Sequence, residues 1–215
     1  MSGITYDYMD KYIKDIITEH DGILKELEIY ADANHIPIVQ KEIAKFLELI
    51  VSIKKPTKIL ELGTAIAYSA ILMELSSNMS CRIDTIERDE NMYKLAKQNI
   101  ENYGFSDRIN ILKGECMDVL QKVDDKYDII FIDAGKGHYG DFFVECLRLL
   151  KEDGIIIADN TLFRGMVASD DLVVRRKITI VKRMREYLEM VCDGEKYITS
   201  VIPMGDGISV TKRRN

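Results

Sequence analysis

Apolar and polar positions follow two rhythms along this chain. Over the first 53 residues the apolar positions recur at helical spacing. Ile13, Ile16 and Ile17 share one side of a charged stretch from Ile4 to Thr18, and Leu24, Leu27 and Tyr30 repeat through a second stretch from Ile23 to Ala33. Pro37, a residue suited to a first helical turn, predicts a third helix from Ile38 to Ile53. From residue 58 onward, short apolar runs alternate with longer amphipathic ones. The runs are 58–62, 82–87, 109–113, 128–133 and 155–159, and the segments near 68–77, 89–103, 115–122 and 139–151 read as helices. Strands alternating with helices of this length predict βαβ units and a mostly parallel sheet covered on both faces, a doubly wound α/β fold. The charged stretch 167–190 predicts one long helix. Two β-like runs, Tyr197–Pro203 and Gly207–Thr211, flank Met204-Gly205-Asp206, which reads as a hairpin turn. No internal repeat or low-complexity segment is visible.

The 215 residues fit one domain, 1–215, with a helical part over 1–53 and a Rossmann-like core over 58–215. Hydrophobic residues at 47% and charged residues at 31% are a globular balance. The formal net charge of −6 excludes an indiscriminate nucleic-acid coat but leaves room for a local basic patch. No apolar run reaches the ~18–20 residues of a membrane span. The start, Met1-Ser2-Gly3-Ile4, has no basic lead or apolar signal core. Cys81, Cys116, Cys146 and Cys192 form no Cys-x-x-Cys pair, so reduced thiols and a cytoplasmic location are expected.

In a parallel sheet, ligands collect beyond the carboxyl ends of the strands, so the residues ending each run are the candidates. The first run ends in Glu61-Leu62-Gly63, where Gly63 permits a tight turn and close backbone approach. This is not the Gly-x-Gly-x-x-Gly of a dinucleotide site. The second run ends in Glu87, 26 positions after Glu61, placed to accept from the hydroxyls of a ribose. Glu61 and Asp133 favour a cationic ligand, and together these features suit S-adenosylmethionine; ordinary loop acids are the alternative. The fourth run ends in Asp133 and the fifth in Asp159-Asn160, a hard-oxygen set that suits Mg²⁺, Mn²⁺ or Ca²⁺ rather than zinc. Helix capping by Asp133 or Asn160 is the competing reading. Lys136 comes three residues after Asp133 and is a candidate general base, with His138 competing for that role.

At these residues the chain resembles the cation-dependent O-methyltransferases of catechol O-methyltransferase type. The motif set is Glu61-Leu62-Gly63, Glu87, Asp133 with Lys136 and Tyr139, and Asp159-Asn160. Within that family it is similar to the bacterial tRNA 5-hydroxyuridine methyltransferases, through Tyr30-Ala31, His35-Ile36-Pro37-Ile38, the run from Ile59 to Ile66, the run from Asp159 to Gly165, and the run from Ile202 to Gly207. The resemblance implies a seven-stranded sheet with an antiparallel last strand and a class I S-adenosylmethionine-dependent methyltransferase fold. It implies cofactor contacts at Val39, Glu61, Ser69, Glu87, Gly114, Glu115 and Asp133, Mg²⁺ on Asp133, Asp159 and Asn160, Lys136 as the catalytic lysine, and a homodimer. Two positions depart from the family pattern: Ala67 stands where glycine is usual, and Glu115-Cys116 replaces Asp-Ala.

Catechol and 5-hydroxyuridine both offer two neighbouring oxygens to one cation, so the site alone does not choose between them. Residues 172–185 hold six basic and no acidic residues. Arg164, Arg175, Arg176, Lys177, Lys182 and Arg183 are therefore candidates for holding phosphates around a tRNA anticodon loop, although a charge run also describes a solvated helix face. The expected activity is methylation of the 5-hydroxyl of a wobble 5-hydroxyuridine to 5-methoxyuridine, with small catechol-like phenols as the alternative acceptors.

Overall fold

The computed structural model describes residues 4–214; Met1–Gly3 and Asn215 lie outside the described residues. Three helices come first: α1 (Asp7–Ile16), α2 (Gly22–Ala33) and α3 (Lys41–Lys54). The third starts later than Pro37 predicts. Pro37 lies in a lead-in without regular secondary structure, and Gln40, with extended backbone angles, is the residue that precedes the helix. The alternating part continues as β1 (Lys58–Leu62), α4 (Tyr68–Ser76), β2 (Arg82–Glu87), α5 (Glu90–Asn102), β3 (Ile109–Lys113), α6 (Cys116–Leu120), β4 (Tyr127–Ile132), α7 (Tyr139–Leu149) and β5 (Leu150–Ala158). Then come α8 (Ile178–Val191), β6 (Tyr197–Ile202) and β7 (Ile208–Arg213).

The sheet runs β3-β2-β1-β4-β5-β7-β6. β1 to β5 are parallel, and β7 pairs antiparallel with both β5 and β6. The central strands are buried on both faces because α2–α5 cover one side and α6–α8 the other. Ile59 and Phe131 face the first layer, and Leu60, Leu62 and Ile130 face the second. That double covering explains why these strands read as unbroken apolar runs instead of alternating ones. The chain order reverses between β1 and β4, which opens a crevice at their carboxyl ends.

Two further sequence expectations fail. β5 begins at Leu150, five residues before its apolar run, because Lys151, Glu152 and Asp153 belong to an outer part of the strand where side chains reach water. The predicted helix 167–190 is a helix only from Ile178. Residues 163–177 form short 3₁₀ turns, and Arg185 fastens them from the helix by donating to the carbonyls of Val167 and Met166 and pairing with Asp170.

Candidate active site

A cavity of about 570 Å³ opens at the β1/β4 crevice, within the ordinary size of a small-molecule site. Its first half is built by β1 and β2. Gly63 turns the chain at φ +89°, and a Cβ there would fall 2.8 Å from the Cβ of Ala134, so a side chain at this position would force β1 and β4 apart. Glu87 is held from two sides: Oε2 accepts from the Ala65 amide at 2.9 Å and Oε1 from the Asp89 amide at 2.8 Å. Glu61 does not line the cavity. It lies fully buried beneath the floor, with Oε2 accepting from Thr85 Oγ1 at 2.6 Å, while Oε1 and the Thr64 hydroxyl have no well-formed hydrogen bond. Burial pushes the Glu61 carboxyl up, against the nearby hydroxyls of Ser69, Thr85 and Thr64.

Of the residues expected to contact a cofactor, Val39, Gly63, Ser69, Glu87, Glu115 and Asp133 line the cavity. Gly114 does not. It sits just after β3 at φ +149°, with its open side against Val119. Sequence reasoning missed Tyr68, which also lines the cavity; its hydroxyl donates to Glu28 Oε1 at 2.7 Å, joining α4 to the N-terminal helices.

The second half is built by the loops after β4 and β5. Asn160, in the left-handed region at φ +60°, touches both neighbouring carboxylates. Its amide Nδ2 donates to Asp133 Oδ1 at 3.0 Å, and its backbone N–H donates to Asp159 Oδ1 at 2.6 Å. Lys136 Nζ donates to Asn160 Oδ1 at 2.7 Å and stands 5.6 Å from the centre of the Phe163 ring. Burial and the charge of Asp159 push the Asp133 carboxyl well up; Asp159 itself is pushed up to about 6, chiefly by burial. Asp206, from the β6–β7 turn, adds a further buried carboxylate 4.0 Å from Lys136. Among the described residues no three His, Cys, Asp or Glu side chains gather closely enough to hold a metal. A cation here would use two aspartates and one amide, all hard oxygens. His138 is exposed and faces Asp141 at 3.6 Å. Tyr139 is buried and donates to the Asp159 carbonyl at 2.9 Å, which fixes the end of β5.

The basic residues divide. Arg164, Arg175 and Arg176 are exposed. Lys177 lies 5.8 Å from the centre of the same Phe163 ring that Lys136 faces. Lys182 pairs along its helix with Glu186 at 3.9 Å, and Arg183 donates at 3.0 Å to the carbonyl of Gly137, the residue after Lys136.

A family model described as O-methyltransferase matches residues 14–214. The chain belongs to the O-methyltransferase family. This O-methyltransferase is 32% identical over 177 residues to a catechol O-methyltransferase of Niastella koreensis, covering 80% of each chain. It superposes on a Staphylococcus aureus protein provisionally assigned as a caffeoyl-CoA O-methyltransferase with a TM-score of 0.88 and 32% identity, over 97% of this chain and 100% of that one. An O-methyltransferase of Bacillus cereus, solved in complex with SAH, gives a TM-score of 0.83 at 28% identity, over 96% of this chain and 97% of that one. The fold is that of the class I methyltransferases.

Proposed function

We propose that this O-methyltransferase uses S-adenosylmethionine and a divalent cation, Mg²⁺ or chemically similar Mn²⁺ or Ca²⁺, to methylate the 5-hydroxyl of a wobble 5-hydroxyuridine in tRNA. The observation that carries the tRNA reading is the position of the basic run: Lys177 and Lys136 face one ring, Phe163, and Arg183 bonds the loop that carries Lys136. In a chain of net charge −6, the run 172–185 carries six basic and no acidic residues beside the acceptor half. Arg164, Arg175, Arg176, Lys177, Lys182 and Arg183 would meet phosphates around an exposed base.

Cofactor binding falls to Val39, Gly63, Ser69, Glu87, Glu115 and Asp133, which line the cavity, with Glu61 and Gly114 supporting its wall from behind. Glu87 would receive the ribose hydroxyls, and the Thr64 hydroxyl, which lines the cavity, suits a polar amino-acid end, with Glu61 adding its carboxyl from beneath the floor. Asp133, Asp159 and Asn160 would hold the cation. Its charge would relieve the raised carboxyls, which is the fit between these residues and the ion. When bound, the donor would supply an electrophilic methyl on a sulfonium, and a divalent cation would supply charge that favours the deprotonated acceptor hydroxyl. Lys136 Nζ takes the proton from the acceptor hydroxyl, and the protein's main contribution is alignment.

This reading includes a cytoplasmic location, consistent with four free cysteines, and a homodimer, which would cover the exposed Tyr6, Tyr8, Met9, Tyr12 and Ile16 on and beside α1. Among the described residues no helix is long and apolar enough to cross a membrane. A second acceptor class, small phenols, is favoured by the catechol and caffeoyl-CoA activities named for the relatives. The deciding experiment offers tRNA bearing 5-hydroxyuridine, catechol and caffeoyl-CoA to the same enzyme with labelled S-adenosylmethionine. Label in 5-methoxyuridine is the expected result; label confined to the phenols overturns the tRNA assignment. Sedimentation tests the dimer.

A further inference from the structure

Asp206 looks from the sequence like an ordinary turn residue. The structure buries it to 8% exposure and gives it contacts to two parts of the acceptor half. One carboxylate oxygen, Oδ1, accepts from the backbone N–H of Arg164; the other faces Lys136 Nζ at 4.0 Å. Its backbone carbonyl accepts from the Leu162 N–H at 3.0 Å, and the Gly207 carbonyl accepts from the Thr161 N–H at 2.9 Å. The β6–β7 turn is thus pressed onto the loop after β5. Gly207 makes this possible: at φ +89°, a Cβ there would fall 2.4 Å from Leu162 Cγ.

The loop so held is itself unusual. Asn160, Phe163 and Arg164 all adopt positive φ, at +60°, +44° and +55°. Side chains rarely accept this conformation unless their surroundings impose it. The same three residues serve the site: Asn160 bonds Lys136, Phe163 lies against it, and Arg164 opens the basic rim.

Lys136 now rests on Asn160 Oδ1, the oxygen a cation on Asp133 and Asp159 would also require. An amide oxygen serving the cation leaves the lysine needing another anchor. We propose that Asp206 is a positioning residue that tethers Lys136 at the acceptor half, independently of Asn160, while its other oxygen holds the loop after β5. This rests on the reading of Lys136 as the proton acceptor.

Asp206→Asn separates the two tasks, because an amide oxygen can still accept from Arg164 N–H while the charge facing Lys136 is gone. Asp206→Glu keeps the charge. The order parameter of the Lys136 ε-methylene, measured by NMR on folded protein with and without Mg²⁺, is expected to fall in Asp206→Asn and to be at least partly restored in Asp206→Glu. Turnover of Asp206→Asn should drop ~10–100-fold with little change in KM for the donor. Asp206→Asn added to Lys136→Ala should cost no more than a further twofold, since both act on one group. An unchanged order parameter, turnover within threefold of wild type, effects that multiply in the double variant, or Asp206→Glu performing worse than Asp206→Asn would each overturn the proposal. If wild type methylates none of the offered acceptors, the proposed function fails, and the NMR arm still decides whether Asp206 tethers Lys136.

Discussion

The two halves of the cavity are built on opposite principles. Beyond β1 and β2, the lining carboxylate is already satisfied: Glu87 accepts two backbone N–H groups, and Gly63 brings the strands together at a fixed distance. Beyond β4 and β5, Asp133, Asp159 and Asp206 share a small volume with one lysine, and all three carboxyls are pushed up. In the first half Glu87 is paired before a ligand arrives, and only Glu61 Oε1 and the Thr64 hydroxyl are left without a well-formed hydrogen bond. The second half gathers three raised carboxyls around one lysine, and on the proposed reading a divalent cation would compensate them. A site can thus fix one reactant by geometry while leaving charge uncompensated for the other.

The sharpest way to break this contrast is to remove the charge of the second half. Asp159→Ala, or chelation of divalent ions from the wild type, should reduce methyl transfer on the order of 10²–10³-fold or more. Binding of S-adenosylhomocysteine, measured by calorimetry, should change far less. Equal losses in both measurements would mean that the halves are not separable.

Stability should show the same asymmetry with the sign reversed. The Asp159 carboxyl lies near 6 when folded and near 3.9 when unfolded. Between those values the native state holds more protons than the unfolded state, so metal-free stability falls as pH rises from about 4 through 6. The full penalty, of order 3 kcal/mol, is present above about pH 7 and absent below about pH 4. Asp159→Asn should therefore be more stable than the metal-free wild type at pH 7.5 and match it near pH 4, in urea titrations. Saturating Mg²⁺ should close the gap at pH 7.5. A wild type that remains as stable at pH 7.5 as at pH 5, relative to the variant, would contradict the assignment.

In the finished half the effect should fall on affinity. On the proposed reading, Glu87→Ala removes a charged acceptor for the ribose hydroxyls, at roughly 1.5–3 kcal/mol, and should weaken S-adenosylhomocysteine binding by about 10–150-fold. Turnover at saturating donor should stay within a few-fold of wild type.

Much of the finished half was legible because its information is local. Apolar runs of five or six residues, each ending in an acid or glycine, identify β1 and β2 and place Glu61, Gly63 and Glu87. Asp133, Asp159 and Asn160 were legible for the same reason. What the sequence hid was the burial of Glu61 below the floor, which depends on how α4 packs, and the approach of Asp206, which depends on pairing between β5 and β7. Residues 167–177 misled because their charged run continues into a true helix, α8, while their real constraint is Arg185 bonding back to Val167 and Met166. Pro37 misled because a proline that suits a first turn also suits a lead-in without regular secondary structure.

The smallest expected effect concerns Ala67, the departure from the family's usual glycine. It precedes α4 at φ +68° and is fully buried. Left-handed backbone costs an alanine about 1–2 kcal/mol, partly offset by its stiffer unfolded chain. Ala67→Gly should therefore raise stability by about 0.5–1 kcal/mol in urea, without altering acceptor turnover. Any loss of stability would show that the methyl group packs too well to be spared.

β7 runs against its neighbours, with Ser209 opposite Ala158. A strand laid in that direction brings its entrance, not its exit, to the edge where the others stop. The residue delivered there is Asp206, whereas Arg213 ends at the far rim, donating to carbonyls around Leu147 and Leu150. Had this strand pointed the other way, the acceptor mouth would have gained a guanidinium in place of an acid, and the sign of the field on Lys136 would have been inverted.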